Sequence, residues 1–478
     1  MEKTISKSQN NSDRLRELAT APVWRLLVKY SLPAVVGTVV SAVYNIIDSI
    51  VIGHAIDDPN VVAGIAVTFP VMMLATALGM LIGVGAATRI SIVMGQQDKP
   101  MAELILGNCV MLTCGIGLAY MGVFAAFLNP LLKLFGASPN SLPYAREFLL
   151  WVLPGMVLMN LTFSYNNVMR ATGYPGKAMF TNIIGAVLNA ILAPLFLFVF
   201  KWGIRGAAIA TDLSMVVTAF FVMSHFFKKS SELHFVRGTF HLKADVIKSV
   251  IYIGMAPFLI SVAGSAINAI VNNSLLKYGG DDAIASVVVF NRFVTIFVFI
   301  VMGICQGMQP ILGYNYGSGR FDRLFRTLWL AAGTAVVVTT TGSLIGAFNP
   351  RTIAAMFMQD EQQRNCAVNC LKITTMGFWM VGLQVVSTNF FQSLGMATKA
   401  VFLSLTRQIL FMIPLLFILP PRFGLNGVWA CYPICDCVAA IVATCMLLWQ
   451  VRHIKRMGNR LNRLHTELAE ESSITPKN

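Results

Sequence analysis

Long apolar runs separated by short polar stretches recur along the chain from residue 26 to residue 451. A helix needs about 20 mostly apolar residues to cross a bilayer. That length predicts twelve spanning helices, at 26–54, 61–94, 101–128, 143–169, 178–200, 204–227, 247–277, 283–314, 323–348, 366–391, 399–420 and 426–451. Pro33, Pro154, Pro194, Pro257, Pro310 and Pro414 punctuate them. In lipid, the backbone groups freed by such breaks must be satisfied by neighbouring helices or water. The predicted fold is an all-α polytopic membrane protein.

The runs repeat. Arg170-Ala-Thr-Gly173 with Lys177 matches Gln392-Ser-Leu-Gly395 with Lys399, 222 positions on. Gly95 and Gly317 are also 222 apart, Pro33 and Pro257 are 224 apart, and Gly206 and Gly427 are 221 apart. A duplication of six helices accounts for all four. Six is even, so both halves enter from the same side. The two six-helix lobes are then related by a pseudo-two-fold along the membrane normal, with a shared site expected between them. The expected divisions are a tail at 1–22, an N-lobe at 23–228, a link at 229–246, a C-lobe at 247–452 and a tail at 453–478. The charged link is long enough to let the lobes rock.

Charge sets the orientation. Lys3, Lys7, Arg14 and Arg16 precede the first helix, and Lys228, Lys229, Arg237, Lys243 and Lys248 lie between the sixth and seventh. Arg320, Arg323 and Arg326 follow the eighth, and Arg452, Lys455, Arg456, Arg460 and Arg463 follow the twelfth. Basic loops stay inside, so both termini are expected in the cytoplasm. These loops also explain the net charge of +15 without nucleic acid. Composition agrees: 56% of residues are hydrophobic and 12% charged, against about 25% charged in soluble domains. Residues 1–21 are polar, so the first helix is expected to act as its own insertion signal.

Several chemistries drop out. The nine cysteines form no CxxC pair, and Cys431, Cys435 and Cys437 read as free thiols rather than a zinc site. No P-loop is present, so ATP is not a direct energy source. His241 and Asp245 have no nucleophile or metal set beside them. No cofactor or metal is expected.

Three acids lie away from the helix ends: Asp48, Asp212 and Asp436. Glu103, Glu147, Asp245 and Asp322 fall at helix starts, where the helix dipole favours acids. An ionisable group inside a span costs about 3 kcal/mol or more and marks a functional site by default. Asp48, in VYNIIDSIVIG, is the leading candidate for binding and releasing an ion, with Tyr44 one turn earlier on the same face. A structural hydrogen bond is its bland alternative. The duplicate of Asp48 is Asn272, so the charge belongs to one lobe only. Arg292 and Arg407 need partners inside their helices; one or both are expected to pair with Asp436, in gating or lobe stability. The 25 Met and 32 Phe suit a cavity that accepts many shapes. Most fill helix interfaces, and Met72, Met73, Phe163, Asn272, Met302 and Gln306 are the candidate cavity residues.

The helix count, the duplication, YNIIDSIVIG, the paired glycine loops and RATGYPGKA resemble the multidrug and toxic-compound extrusion (MATE) family. GICQGMQPILGYNYGSGRFDR and TRQILFMIPLL resemble its MepA-like subgroup. The resemblance runs from about residue 24 to 451. It implies a secondary active antiporter, not an enzyme, exchanging lipophilic, often cationic drugs for protons or sodium. It also implies a first-helix acid, matched by Asp48, and an Asn and Thr on the fifth and sixth helices, matched by Asn189 and Thr211. Relatives carry an Asp four residues after that Asn, where this chain has Ala193. Losing one carboxylate favours protons over sodium, unless Asp212 compensates. The expected setting is a monomer in the lipid bilayer of a bacterial cytoplasmic (inner) membrane, with no nucleic-acid partner. The alternatives are a sodium-coupled exporter, a flippase for a lipid-linked sugar, or a membrane-embedded transferase, for which no converging catalytic set is found.

Overall fold

A computed structural model describes residues 17–55, 59–228 and 231–474; the side chains of 45–46, 48–50, 52–55, 59–60, 62–63, 66 and 458–474 are outside the described set. Among the described residues the structure is helical with no strands. The N-terminal half contains α1 (Val23–Ala55), α2 (Pro59–Gly95), α3 (Lys99–Ala126), the short α4 (Leu128–Leu134), α5 (Leu142–Ala171), α6 (Pro175–Pro194) and α7 (Gly203–Phe227). The C-terminal half contains α8 (Ala244–Gly317), α9 (Phe321–Phe348), the short α10 (Pro350–Phe357), α11 (Glu361–Thr374), α12 (Val381–Ser393), α13 (Ala397–Leu405), α14 (Ile413–Ile418) and α15 (Pro420–Ile474).

Among the described residues, eleven helical stretches are long and apolar enough to span a bilayer. One of them, α8, is two helices joined at Gly280, where φ is 64° and ψ −156°. Twelve spans result, as the apolar pattern predicts. Two π-helical turns interrupt corresponding spans: Leu195–Val199 directly after Pro194, and Thr406–Met412 directly before Ile413-Pro414. A proline lacks the N–H that the ladder needs, and the wider turn absorbs the break.

The duplication extends to backbone conformation. Left-handed residues recur at Gln97 and Gly319 (φ 62° and 69°), Gly173 and Gly395 (91° and 74°), and Gly203 and Gly424 (59° and 57°). These pairs are 222, 222 and 221 positions apart.

The lobes meet at the end that carries the basic loops. There α2 lies against both arms of α8, and α1 lies against the second arm. Glycines bring the backbones together: a Cβ on Gly85 would strike the carbonyl of Val250, and one on Gly254 that of Leu81. Gly303 and Gly307 seat Val35 and Ser31 of α1 in the same way. Ser31 Oγ donates to the Ile304 carbonyl (3.4 Å), Thr38 Oγ1 to that of Phe299 (3.3 Å), and Gln309 Nε2 to Thr88 Oγ1 (2.6 Å). Small residues that let helices approach are the usual means of association in lipid.

The expected segments outside the lobes are themselves structured. Within the expected N-terminal segment, residues 17–20 are helical. Leu18 is fully buried, and the carbonyls of Leu18, Ala19 and Ala21 accept from Arg323 Nη2 (3.2 Å), Arg320 Nη1 (2.6 Å) and Arg323 Nη2 (2.5 Å). The link does not hang free. Leu233 is buried, Phe235 packs on Tyr165 and Phe226, and Lys243 N donates to Asn108 Oδ1 of α3 (2.9 Å). Its apolar residues dock it on the N-lobe. At the other terminus α15 continues to Ile474, through a stretch rich in the helix formers Arg, Leu, Glu and Ala.

Candidate ion-coupling and cargo site

Two of the expected ion-site residues come together in the N-lobe. Asn189 on α6 is 2% exposed, and its Nδ2 donates to Thr211 Oγ1 on α7 at 3.2 Å. Thr211 in turn donates to the Ala207 carbonyl one turn earlier (3.1 Å). The pair lies one turn before the Pro194 break, where a polar interhelical contact can hold two helices across a weakened ladder. Asp212 takes another direction. It lies against α5, where Gly155 makes room: a Cβ there would strike its carboxylate oxygen. Neighbouring residues on a helix point about 100° apart, so Thr211 and Asp212 serve different helix contacts. Tyr44 is half-buried on α1. The backbone of Asp48 belongs to α1, and its side chain lies outside the described residues.

The N-lobe also carries a polar row that the apolar pattern did not single out. Asn166 Nδ2 on α5 donates to Asn182 Oδ1 on α6 (3.0 Å), and Asn182 reaches Gly37 on α1. Asn160 of α5 fills the space left by Gly79 of α2. The row ties α1, α2, α5 and α6 together. Its signal in the sequence was a set of asparagines inside spans, each next to a helix that offers a glycine.

In the C-lobe, Arg407 Nε donates to Asp436 Oδ1 at 2.7 Å. Arg407 sits on the Thr406–Met412 π turn, and Asp436 on α15 is 3% exposed. The pair borders a small cavity of about 140 Å³ with Phe290, Thr339, Phe378 and Tyr432. Arg292 is not the partner of Asp436; it is exposed on α8. Arg407 is the guanidinium that reaches the nearly buried carboxylate.

The candidate cavity residues divide. Met72 packs into the N-lobe core while Met73 beside it is 39% exposed. Phe163 lies over Gly83 of α2. Asn272 is exposed on the first arm of α8, and Met302 and Gln306 are half-buried on the second arm, near the lobe contact. Glu103 and Glu147 lie in the second turns of α3 and α5, beyond the first-turn positions the dipole favours most. Glu147 pairs instead with Arg205, and Glu103 lies 3.5 Å from His234 of the link. All nine cysteines are free, and among the described residues no His, Cys, Asp or Glu cluster could hold a metal.

These features define a two-lobed, multi-pass, all-α membrane protein built by duplication, with polar clusters buried inside each lobe. The chain belongs to the MatE family, whose model matches it twice, at residues 33–195 and 257–418. The two matches start 224 positions apart, the period read from the sequence anchors. The chain is similar to the multidrug export protein MepA of Staphylococcus aureus (strain MRSA252), at 27% identity over 434 residues, covering 90% of this chain and 95% of the relative. The MepA protein of Staphylococcus saprophyticus is 26% identical over 437 residues, with the same coverage. Among solved structures, a MATE protein in the bent conformation matches with a TM-score of 0.88 at 22% identity, over 93% of this chain and 99% of that one. A MOP superfamily transporter from Pyrococcus furiosus matches with a TM-score of 0.86 at 23% identity, over 92% and 98%.

Proposed function

We propose that the protein is a secondary active exporter of lipophilic, often cationic small molecules, driven by protons taken up at Asp48. The observation that carries the reading is the lobe contact. Two pseudo-symmetric lobes that touch over glycines at one end can close one side of a shared cavity and open the other. Similarity to the MepA export proteins supports a multidrug cargo. The basic loops support a cytoplasmic position for the closed end and both termini in a bacterial membrane, and in that orientation this form faces outward.

In this mechanism, Asp48 gains a proton from the outside. The hydrogen bonds around Tyr44 and the Asn189–Thr211 pair rearrange, α1 repacks, and cargo leaves. The lobes then rock inward, release the proton and reload. Ala193, at the position of the second acid in relatives, favours a proton over sodium. For a neutral cargo, one proton crossing the membrane potential is worth about 2.3 kcal/mol per 100 mV, enough for an accumulation of tens of fold; a singly charged cation leaving for one proton moves no net charge and relies on the pH gradient.

Proteoliposomes test the coupling. An imposed pH gradient without sodium is expected to drive uptake of an ethidium-like dye, and transport driven only by a sodium gradient refutes the proton assignment. Asp48→Asn is expected to express normally and abolish drug resistance in an efflux-deficient host; retained resistance refutes its role.

A further inference from the structure

At the basic end, a groove of about 750 Å³ opens between the start of α1 and the faces of α9 and α15. Its volume lies in the range of ligand-binding clefts, about 300–1,000 Å³. Arg323 and Arg326 of α9 and Lys455 of α15 line it, with Asp322 as the acid among its lining residues. Among the described lining residues the balance is therefore three cations to one anion. Arg323 is fixed in the wall by its bonds to the Leu18 and Ala21 carbonyls. Arg326 and Lys455 are exposed, and Lys455 Nζ stands 5.4 Å from the Phe325 ring centre. The first turns of α1 and α9 begin here, so the positive ends of two helix dipoles add to the same field.

The groove's flanks are apolar. Trp24 is 58% exposed and Trp329 45% exposed, with Leu330 beside it. All three helices are spans, and the groove lies at their ends, the level where tryptophans sit in lipid headgroups. Basic pockets between spans on the cytoplasmic side suit anionic lipid headgroups.

We propose that this groove binds the phosphate headgroup of an anionic phospholipid. Arg326 and Lys455 hold the phosphate, and the acyl chains run along Trp24, Trp329 and Leu330. A cationic drug meets the wrong sign of charge here, and a soluble phosphate has no use for the tryptophan walls. The groove joins α1 of the N-lobe to α9 and α15 of the C-lobe, so a bound lipid bridges the lobes and favours the form closed at the basic end. The proposal rests on the orientation given by the basic loops and is independent of the coupling ion.

Lipid binding to the full chain in nanodiscs of phosphatidylcholine, titrated with phosphatidylglycerol, provides the test. Phosphatidylglycerol is expected to raise the melting temperature, and phosphatidylcholine alone is not. Each basic residue near the surface contributes about fivefold, so Arg326→Gln with Lys455→Gln is expected to weaken phosphatidylglycerol binding roughly 30-fold. Both positions are exposed, and circular dichroism checks that the variant folds. Unchanged binding in the folded double variant overturns the site. Equal stabilisation by inorganic phosphate in neutral nanodiscs identifies a soluble-anion site and overturns the lipid. Trp24→Ala with Trp329→Ala gives a separate readout: phosphatidylglycerol binding is expected to weaken, and an unchanged affinity overturns the lipid assignment.

Discussion

Gly95 and Gly317 occupy equivalent places in the two lobes and make the same contact across the lobe boundary. A Cβ on Gly95 would strike the Tyr314 carbonyl, and one on Gly317 would strike that of Ile92. Ile92 and Tyr314 are themselves 222 positions apart. The contact therefore obeys the pseudo-two-fold, and both halves of it depend on the absence of a side chain.

Gly317→Ala is expected to prop this end open. Overpacking a tight contact costs about 1–3 kcal/mol, a shift of roughly 5- to 150-fold in the closed population. Spin labels at positions 96 and 322, in a background with the native cysteines replaced, should report longer distances between the lobes. Unchanged distances would show that the contact yields without cost.

The Asn189–Thr211 bond has two distinguishable roles. As glue between helices it is worth about 0.6–2 kcal/mol, and its loss lowers the melting temperature alone. As part of the coupling site, its loss also stops transport. Asn189→Leu and Thr211→Val are each expected to reduce pH-driven dye transport by about tenfold or more, and the double variant by no greater factor. Multiplying effects would separate the two residues.

Removing one partner of the Arg407–Asp436 pair strands the other. Breaking a fully buried pair costs about 3–5 kcal/mol. Arg407 is about a third exposed, so Asp436→Leu is expected to cost about 2–3 kcal/mol. Adding Arg407→Leu should recover most of that loss. Melting in detergent reads both values, and a double variant no better than the single would show that the pair contributes net stability.

Gln97 holds a left-handed turn that Gly319 holds in the other lobe. A side chain there costs about 1–2 kcal/mol. Gln97→Gly is expected to raise stability by about 1 kcal/mol and Gly319→Ala to lower it by about as much, both visible as shifts in thermal melting.

Glu232, in the link outside the spans, has its carboxyl pKa pushed up by burial; Glu103 adds to the shift and Lys99 opposes it. The folded protein thus holds this proton more tightly than the unfolded chain does. The stability it contributes is full below the ordinary glutamate value of about 4.3 and is lost as pH rises through the raised value. Glu232→Gln, which imitates the protonated form, should raise the melting temperature at pH 7.5 and leave it unchanged at pH 4. Equal effects at both pH values would count against the burial explanation.

The apolar pattern carried the twelve spans and the six-helix duplication because lipid leaves the backbone little choice but helix. Asn189 and Thr211 were singled out through the family resemblance alone, and the bond between them became visible only in the structure. Direction around the helix was harder to read. Met72 and Met73 are neighbours in sequence, yet one is core and the other exposed. Arg292 and Arg407 both lie within spans, and the sequence did not decide which of them would reach Asp436. The docking of Leu18 and Leu233 depends on contacts with distant helices. Single apolar residues in polar segments give no sign of those.

If the lobes rock as proposed, a glycine-against-carbonyl contact keeps the moving faces apart from the residues proposed to bind ion and cargo. The contact face combines glycine-to-carbonyl approaches with a few hydroxyl and amide hydrogen bonds. Side chains that choose a cargo can change elsewhere in the lobes without altering how the halves meet. Under the proposed mechanism, such a design could take new cargo while the lobe contact stays the same.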